Sequence, residues 1–106
     1  MARFDVYSNP DARLETTPYL LDVQSNLLDM LESRMVIPLR RLGYYPQQIK
    51  MPERLIPMFR VGGTDCLLDT PQMAAVPCRI LSVPVGSLAV EQDRIVAALD
   101  FLFQGY

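Results

Sequence analysis

The chain has 106 residues, half of them hydrophobic, a formal net charge of −2 and no histidine. This length predicts a single domain, residues 1–106, with one core of its own. The lack of histidine excludes Ser-His-Asp and Cys-His catalysis and the commonest zinc sites, and no glycine motif for phosphate is present. The acidic balance disfavours nucleic acid as a direct ligand. We therefore expect no catalytic residue, no cofactor and no metal.

The cysteines and the apolar segments indicate the compartment. No signal-like apolar segment follows Met1, and no apolar run approaches the length of a membrane span. Cys66 and Cys78 are therefore expected to be reduced, buried thiols in a cytoplasmic protein that has no membrane contact. The high apolar fraction suggests a patch kept for a partner, so a homodimer is plausible.

The first half of the chain reads as short strands. Residues 3–7 alternate, with Phe4 and Val6 on one face, which predicts a half-buried strand, and residues 19–24 predict a second one. Residues 25–32 are expected to form a turn with at most a little helix. Residues 34–40 suit an edge or bulged strand because Pro38 interrupts them.

The second half contains a hairpin signal and then a change of period. Gly62 and Gly63 separate a predicted strand, residues 55–61, from a second one that begins at Thr64, as in a type I′ hairpin. Residues 71–77 are expected to form a loop and residues 78–83 the last strand.

From Ser87 onward a helical period predicts a C-terminal helix. Ile95, Leu99, Leu102 and Phe103 form its core-facing stripe. Gly105 lies where a glycine commonly ends a helix. The overall prediction is a mainly β domain with a C-terminal α-helix.

Four residues of this helix share one narrow seam: Asp93, Ala97, Asp100 and Gln104. The seam is either a solvated face or a surface presented to a partner. Tyr106 at the end of the chain is either a packed or frayed terminus or an anchor for the same partner. The pattern alone leaves both questions open.

Several segments together resemble the CcdB toxins of bacterial toxin–antitoxin pairs. They are FDVY near the start, LDVQSNLLD, RMVIPL, MAAVP and a terminal helix that ends in a Phe-x-Gly-x tail. The resemblance covers essentially the whole chain from about residue 3. It implies an SH3-like antiparallel barrel with a C-terminal helix, assembled as a two-fold homodimer.

The resemblance also implies an activity. Such proteins are not enzymes: they bind the A subunit of DNA gyrase and trap the complex in which gyrase has cleaved DNA. A CcdA-like antitoxin neutralises them, and toxin and antitoxin together repress their own operon. Operator DNA is therefore an expected partner only in complex with the antitoxin.

Carried over position by position, the gyrase-binding residues are Leu27, Leu28, Asp100, Phe103, Gln104, Gly105 and Tyr106. Three of them depart from the best-known family member: in the tail, Gln104 replaces a tryptophan and Tyr106 an isoleucine, and on the helix Asp100 replaces an asparagine. Glutamine lacks an aromatic face, so about 0.5–2 kcal/mol of cation–π attraction is absent at that position. The loop at residues 9–17 differs in length and content, so antitoxin contacts are not assigned.

Two alternatives remain. The first is an endoribonuclease of the MazF and Kid type, which share the barrel; Arg40 and Arg41 are its only obvious basic site. The second is a degenerate homologue that binds antitoxin but no longer poisons gyrase, a possibility raised by the changes at Gln104 and Tyr106.

Overall fold

The computed structural model describes residues 1–11, 15–44 and 52–105. These ranges contain β1 (Asp5–Ser8), β2 (Tyr19–Asp22), β3 (Ser33–Arg41), β4 (Met58–Val61), β5 (Thr64–Leu68), β6 (Ala74–Pro77), β7 (Gly86–Ser87) and α1 (Gln92–Gln104). The strands pair antiparallel in the order β4-β5-β3-β2-β1-β7, with β6 added to β3. They form a nearly closed barrel, and the helix follows the last strand, which confirms the predicted antiparallel barrel with a C-terminal helix.

The longest strand, β3, is central, and the prediction of an edge strand is wrong. It pairs with β2 along one side, and on the other side with β6 through residues 33–36 and with β5 through residues 39–41. Pro38 lies between these last two pairings, where its carbonyl accepts the amide of Asp69 at 2.9 Å. The N–H and C=O of one strand residue point to the same side of the strand. The position of the N–H that Pro38 lacks therefore lies in the gap between the β6 and β5 pairings.

The Gly62-Gly63 turn joins β4 to β5 as predicted. Both glycines have positive φ, 56° and 81°, as a type I′ turn requires. The first strand of this hairpin begins at Met58 and not at residue 55. Leu55 and Ile56 precede it in a turn whose amides bond back to the carbonyl of Pro52.

Two predictions near Pro77 are wrong. Residues 74–77, expected in a loop, form β6 on β3. Residues 78–83, expected to form the last strand, begin with the 3₁₀ turn Cys78–Ile80, and the amide of Leu81 bonds back to Cys78 at 3.1 Å. Among the apolar residues of this segment, Leu81 is buried, whereas Ile80 and Val83 are exposed.

The core has two parts, on opposite faces of β1, β2 and β3. The main cluster fills the barrel and includes Ile95 of α1; its members are Phe4, Val6, Leu21, Val23, Ile37, Leu39, Phe59, Val61, Cys66, Leu68, Leu88 and Ile95. The second cluster comprises Tyr7, Leu20, Val36 and Leu81. Because both faces of β1 are covered, Tyr7 is fully buried and β1 is not the half-buried strand expected.

The helix packs through a narrower stripe than predicted. Ile95 and Ala98 are fully buried, and Leu99 and Leu102 are partly buried. Phe103, predicted on the same stripe, is 72% exposed. Gly105 ends α1 at φ 81°, with its amide donated to the carbonyl of Phe101, which confirms the predicted cap.

The cysteines are free thiols, and only one of them is buried. Cys66 lies in the main cluster, whereas Cys78 is only partly buried. Within the described residues, no helix is long and apolar enough to cross a membrane.

Candidate functional site

Two exposed apolar regions contain all the described residues that the sequence assigned to gyrase binding. The first is the apolar turn (residues 25–31), in which Leu27 is 84% exposed and Leu28 46%. The second is the helix tip (residues 100–105), with Phe103 exposed at the end of α1. Tyr106 was also assigned to the site and lies outside the described residues.

The apolar turn contains the short helix that was expected, a 3₁₀ turn at Asn26–Leu28. Ser25 begins it: its hydroxyl accepts the amide of Leu27 at 3.2 Å, and its carbonyl accepts the amide of Leu28 at 3.0 Å. The side chain of Asn26 accepts the amide of Arg3 at 2.8 Å. These bonds hold the backbone of the turn, while the side chains of Leu27 and Leu28 remain exposed to solvent.

A buried ion pair lies behind this turn. Arg34 and Asp22 are both 0% exposed; Nε of Arg34 donates to Oδ2 of Asp22 at 2.8 Å, and its Nη2 lies 2.7 Å from the same oxygen. Nη1 of Arg34 donates to Oδ1 of Asp29 at 3.0 Å. Burial raises the pKa of Asp22, while the hydrogen bonds that its carboxylate accepts from the Arg34 side chain and from the backbone amide of Gln24 lower it.

At the helix tip the predicted seam faces solvent. Asp93, Asp100 and Gln104 are exposed, and Ala97 is partly buried. The guanidinium of Arg54 lies 5.7 Å from the ring of Phe101 and covers the neighbouring side of the helix. The helix tip therefore presents an acid, an aromatic ring and an amide within one turn.

The two regions are built separately. Arg3 and β3 hold the apolar turn, whereas the core and Arg54 hold the helix. Among the described residues, no hydrogen bond or ion pair joins the apolar turn to the helix tip. Asp22, Asp29 and Arg34 were not predicted as part of this site; their presence in the LDVQSNLLD and RMVIPL segments, which carry the family resemblance, was the available signal.

The two arginines of the endoribonuclease hypothesis are engaged elsewhere. Arg40 pairs with Asp69 at 3.2 Å beside a cavity of about 370 Å3 between the loop at Asn9 and the β2–β3–β6 face. Nε of Arg41 donates to the carbonyl of Glu15 at 2.9 Å. In the described part of the chain, no cluster of histidine, cysteine and acidic side chains is arranged to hold a metal.

The fold and these two regions define a class of protein, a small antiparallel barrel with a C-terminal helix that presents apolar side chains to solvent. The family model described as CcdB protein matches residues 3–105. The chain therefore belongs to the CcdB family, and that membership supports the toxin of a toxin–antitoxin pair.

Proposed function

We propose that the chain binds the A subunit of DNA gyrase and traps the gyrase–DNA cleavage complex, so that DNA breaks accumulate. In this role it is a topoisomerase poison and uses no catalytic residue of its own. The observation that carries the proposal is the exposure of Phe103, an aromatic residue that is 72% exposed in the last turn of α1. The family resemblance assigns gyrase contact to this position.

Exposed apolar surface supplies the free energy for this binding. Burying a leucine or phenylalanine side chain against a partner contributes roughly 1.5–3 kcal/mol. Leu27 and Phe103 are both largely exposed in the free chain, so this free energy is available for binding. We expect these two side chains to be the anchors of the interface.

The polar residues at the helix tip supply orientation. Asp100 and Gln104 are four residues apart and exposed, so they lie on one side of α1. Asp100 favours a basic surface on the gyrase subunit, and the side-chain amide of Gln104 offers two N–H donors and a carbonyl oxygen that accepts. Gly105 turns the chain out of the helix at positive φ, and we include Tyr106, the next residue, in the binding surface.

The remaining partners follow from the same proposal. We propose a two-fold homodimer, which carries two helix tips, and a CcdA-like antitoxin that neutralises it. The toxin contacts operator DNA only with that antitoxin, in autoregulation of the operon. Because gyrase and the operon are cytoplasmic, we propose the same location for this protein.

Expression of the chain without antitoxin tests the proposed function. We expect growth arrest from the full-length chain, and loss of arrest from Phe103→Ala and from deletion of residues 104–106. Val90→Ala is the matched control, because Val90 is also an exposed apolar residue but precedes α1. Equal arrest from all variants, or RNA cleavage by the purified protein, contradicts the proposal.

A further inference from the structure

We propose that the polar side chains around the apolar turn are positioning residues, which hold Leu27 and Leu28 in the orientation that gyrase recognises. We call Asp22, Gln24, Ser25, Asn26, Asp29 and Arg34 the positioning frame. The inference rests on the proposed function, and it separates the residues that touch the partner from those that act through them.

The frame begins in the barrel wall. Arg34 belongs to β3 and is fully buried, with one side of its guanidinium on Asp22. Its Nη1 reaches outward to Asp29, whose side chain is 60% exposed. One rigid, buried guanidinium therefore links the end of β2 to the far side of the apolar turn.

Gln24 forms the second link, and it acts on a predicted anchor directly. Its Oε1 accepts the amide of Met35 in β3 at 3.1 Å, and its Nε2 donates to the carbonyl of Leu28 at 3.1 Å. The backbone of Leu28 is thus tied to β3 through a single side chain. Ser25 and Asn26 fix the start of the turn by accepting the amides of Leu27 and Arg3.

A turn as short as this one needs external bonds to be ordered. A three-residue 3₁₀ turn has poor hydrogen-bond geometry and little stability of its own. Without external bonds, the partner has to order it, and that ordering reduces the affinity. The frame orders the turn in the free protein. Burial of Leu27 against the partner is therefore offset by a smaller loss of conformational entropy.

The test uses two variants at the edge of the frame, because changes at buried Arg34 or Asp22 risk unfolding the barrel. Asp29→Ala removes the ion pair between Asp29 and Arg34. Gln24→Met removes both hydrogen bonds of the Gln24 side-chain amide while keeping the side-chain volume nearly constant. Glu32→Ala is the matched control: it removes an acid close to the turn whose side chain bonds to no described residue. We expect each frame variant to weaken binding to the gyrase A fragment about three- to tenfold, and the control to leave it unchanged.

A double-mutant cycle separates positioning from direct contact. In a Leu27→Ala/Leu28→Ala background, the frame variants should have no further effect, because the side chains that they position are absent. If their effects on binding simply add to those of the leucine changes, Asp29 and Gln24 touch gyrase themselves and the inference is wrong.

Amide hydrogen exchange provides a measurement without gyrase. The amides of Leu28 and Leu31 are bonded within the turn, to Ser25 and Leu28. We expect both frame variants to speed their exchange while the barrel amides keep their protection. Unchanged exchange overturns the inference. If the unmodified chain fails to bind the gyrase fragment, the proposed function falls, whereas the frame is still judged by exchange.

Discussion

Arg34 and Asp22 form an ion pair in which neither side chain is exposed, with Nη2 2.7 Å from Oδ2. The pair joins β3 to the end of β2 and lies directly behind the apolar turn. A charge in such a place is tolerated only with its partner, because desolvation of a lone buried ion is strongly unfavourable.

The first prediction concerns this pair. Arg34→Met should lower the free energy of unfolding by about 3–5 kcal/mol, because it leaves the Asp22 carboxylate buried without its main partner. The double variant Asp22→Asn/Arg34→Met should lose clearly less than the sum of the two single changes. Urea denaturation of all four proteins measures the coupling. Additive losses would show that the two charges do not depend on each other.

A second prediction concerns alkaline pH. Burial raises the pKa of Tyr7 above 10.0, and the neighbouring charges of Asp5 and Asp22 raise it further. The unfolded tyrosine releases its proton near pH 10 while the folded one keeps it, so the stability contributed by neutral Tyr7 is present below about pH 10 and declines as the pH rises further. Burial also raises the pKa of Cys66, which adds a similar loss from about pH 9.

Tyr7→Phe isolates the tyrosine part of this loss. No described residue bonds to the Tyr7 hydroxyl, so its removal should leave the neutral-pH stability unchanged or raise it by up to about 2 kcal/mol. The decline above pH 10 should become shallower, whereas Tyr44→Phe, at an exposed tyrosine, should not alter it. Denaturation at several pH values between 7 and 11 checks both. An identical alkaline decline in the two variants would rule out Tyr7 as its source.

The third prediction tests the β4–β5 hairpin. Gly63→Ala should cost about 1–2 kcal/mol, because alanine is strained at positive φ. Gly62→Ala should cost at least as much, since its new Cβ lies 3.1 Å from the Tyr19 hydroxyl. Gly86→Ala, in open space and without positive φ, is the control and should change stability little. Thermal unfolding ranks the three variants, and equal stability of all three would contradict the turn type.

How far the sequence predicts this fold depends on whether a signal is local. The Gly62-Gly63 turn, the Gly105 cap and the short 3₁₀ turn after Ser25 are local signals, and the structure confirms each of them. The role of Pro38 is not local: it depends on β5 and β6 pairing with different halves of β3. The same holds for β6, whose alanines have no strong strand preference and form a strand only against β3.

The candidate site was predictable in a similar, partial way. Periodicity places Asp100 and Gln104 on one exposed seam. It also assigned Phe103 to the core stripe, because Phe103 continues the spacing of Ile95 and Leu99, and the period does not show where along the helix the core ends. Asp22 and Arg34 are twelve residues apart, and their pairing arises only when β2 lies beside β3. No sequence spacing reveals such a contact.

The fourth prediction concerns the apolar turn. Leu27→Ser should weaken binding to the gyrase A fragment about tenfold or more, since it removes a side chain that we propose becomes buried on binding. The free energy of unfolding should change by less than about 0.5 kcal/mol, because this side chain is 84% exposed in the free protein. Val90→Ser is the matched control and should bind normally. Unaltered binding of Leu27→Ser would exclude this turn from the interface.

The fifth prediction concerns the helix tip. Gln104→Trp should tighten gyrase binding by the equivalent of about 0.5–2 kcal/mol, because it adds an aromatic face for a gyrase cation. Gln92→Trp, at the exposed start of α1, adds the same ring at the other end of the helix and should leave the affinity unchanged. Equal effects of the two tryptophans would point to non-specific apolar binding.

A DNA cleavage assay with purified gyrase, ATP and supercoiled plasmid tests gyrase poisoning itself, because detergent and protease release any trapped breaks as linear DNA. We predict that linear DNA accumulates in proportion to the added chain, and that Phe103→Ala lowers its yield about tenfold or more. Absence of linear DNA with a folded chain at saturating concentration would contradict gyrase poisoning.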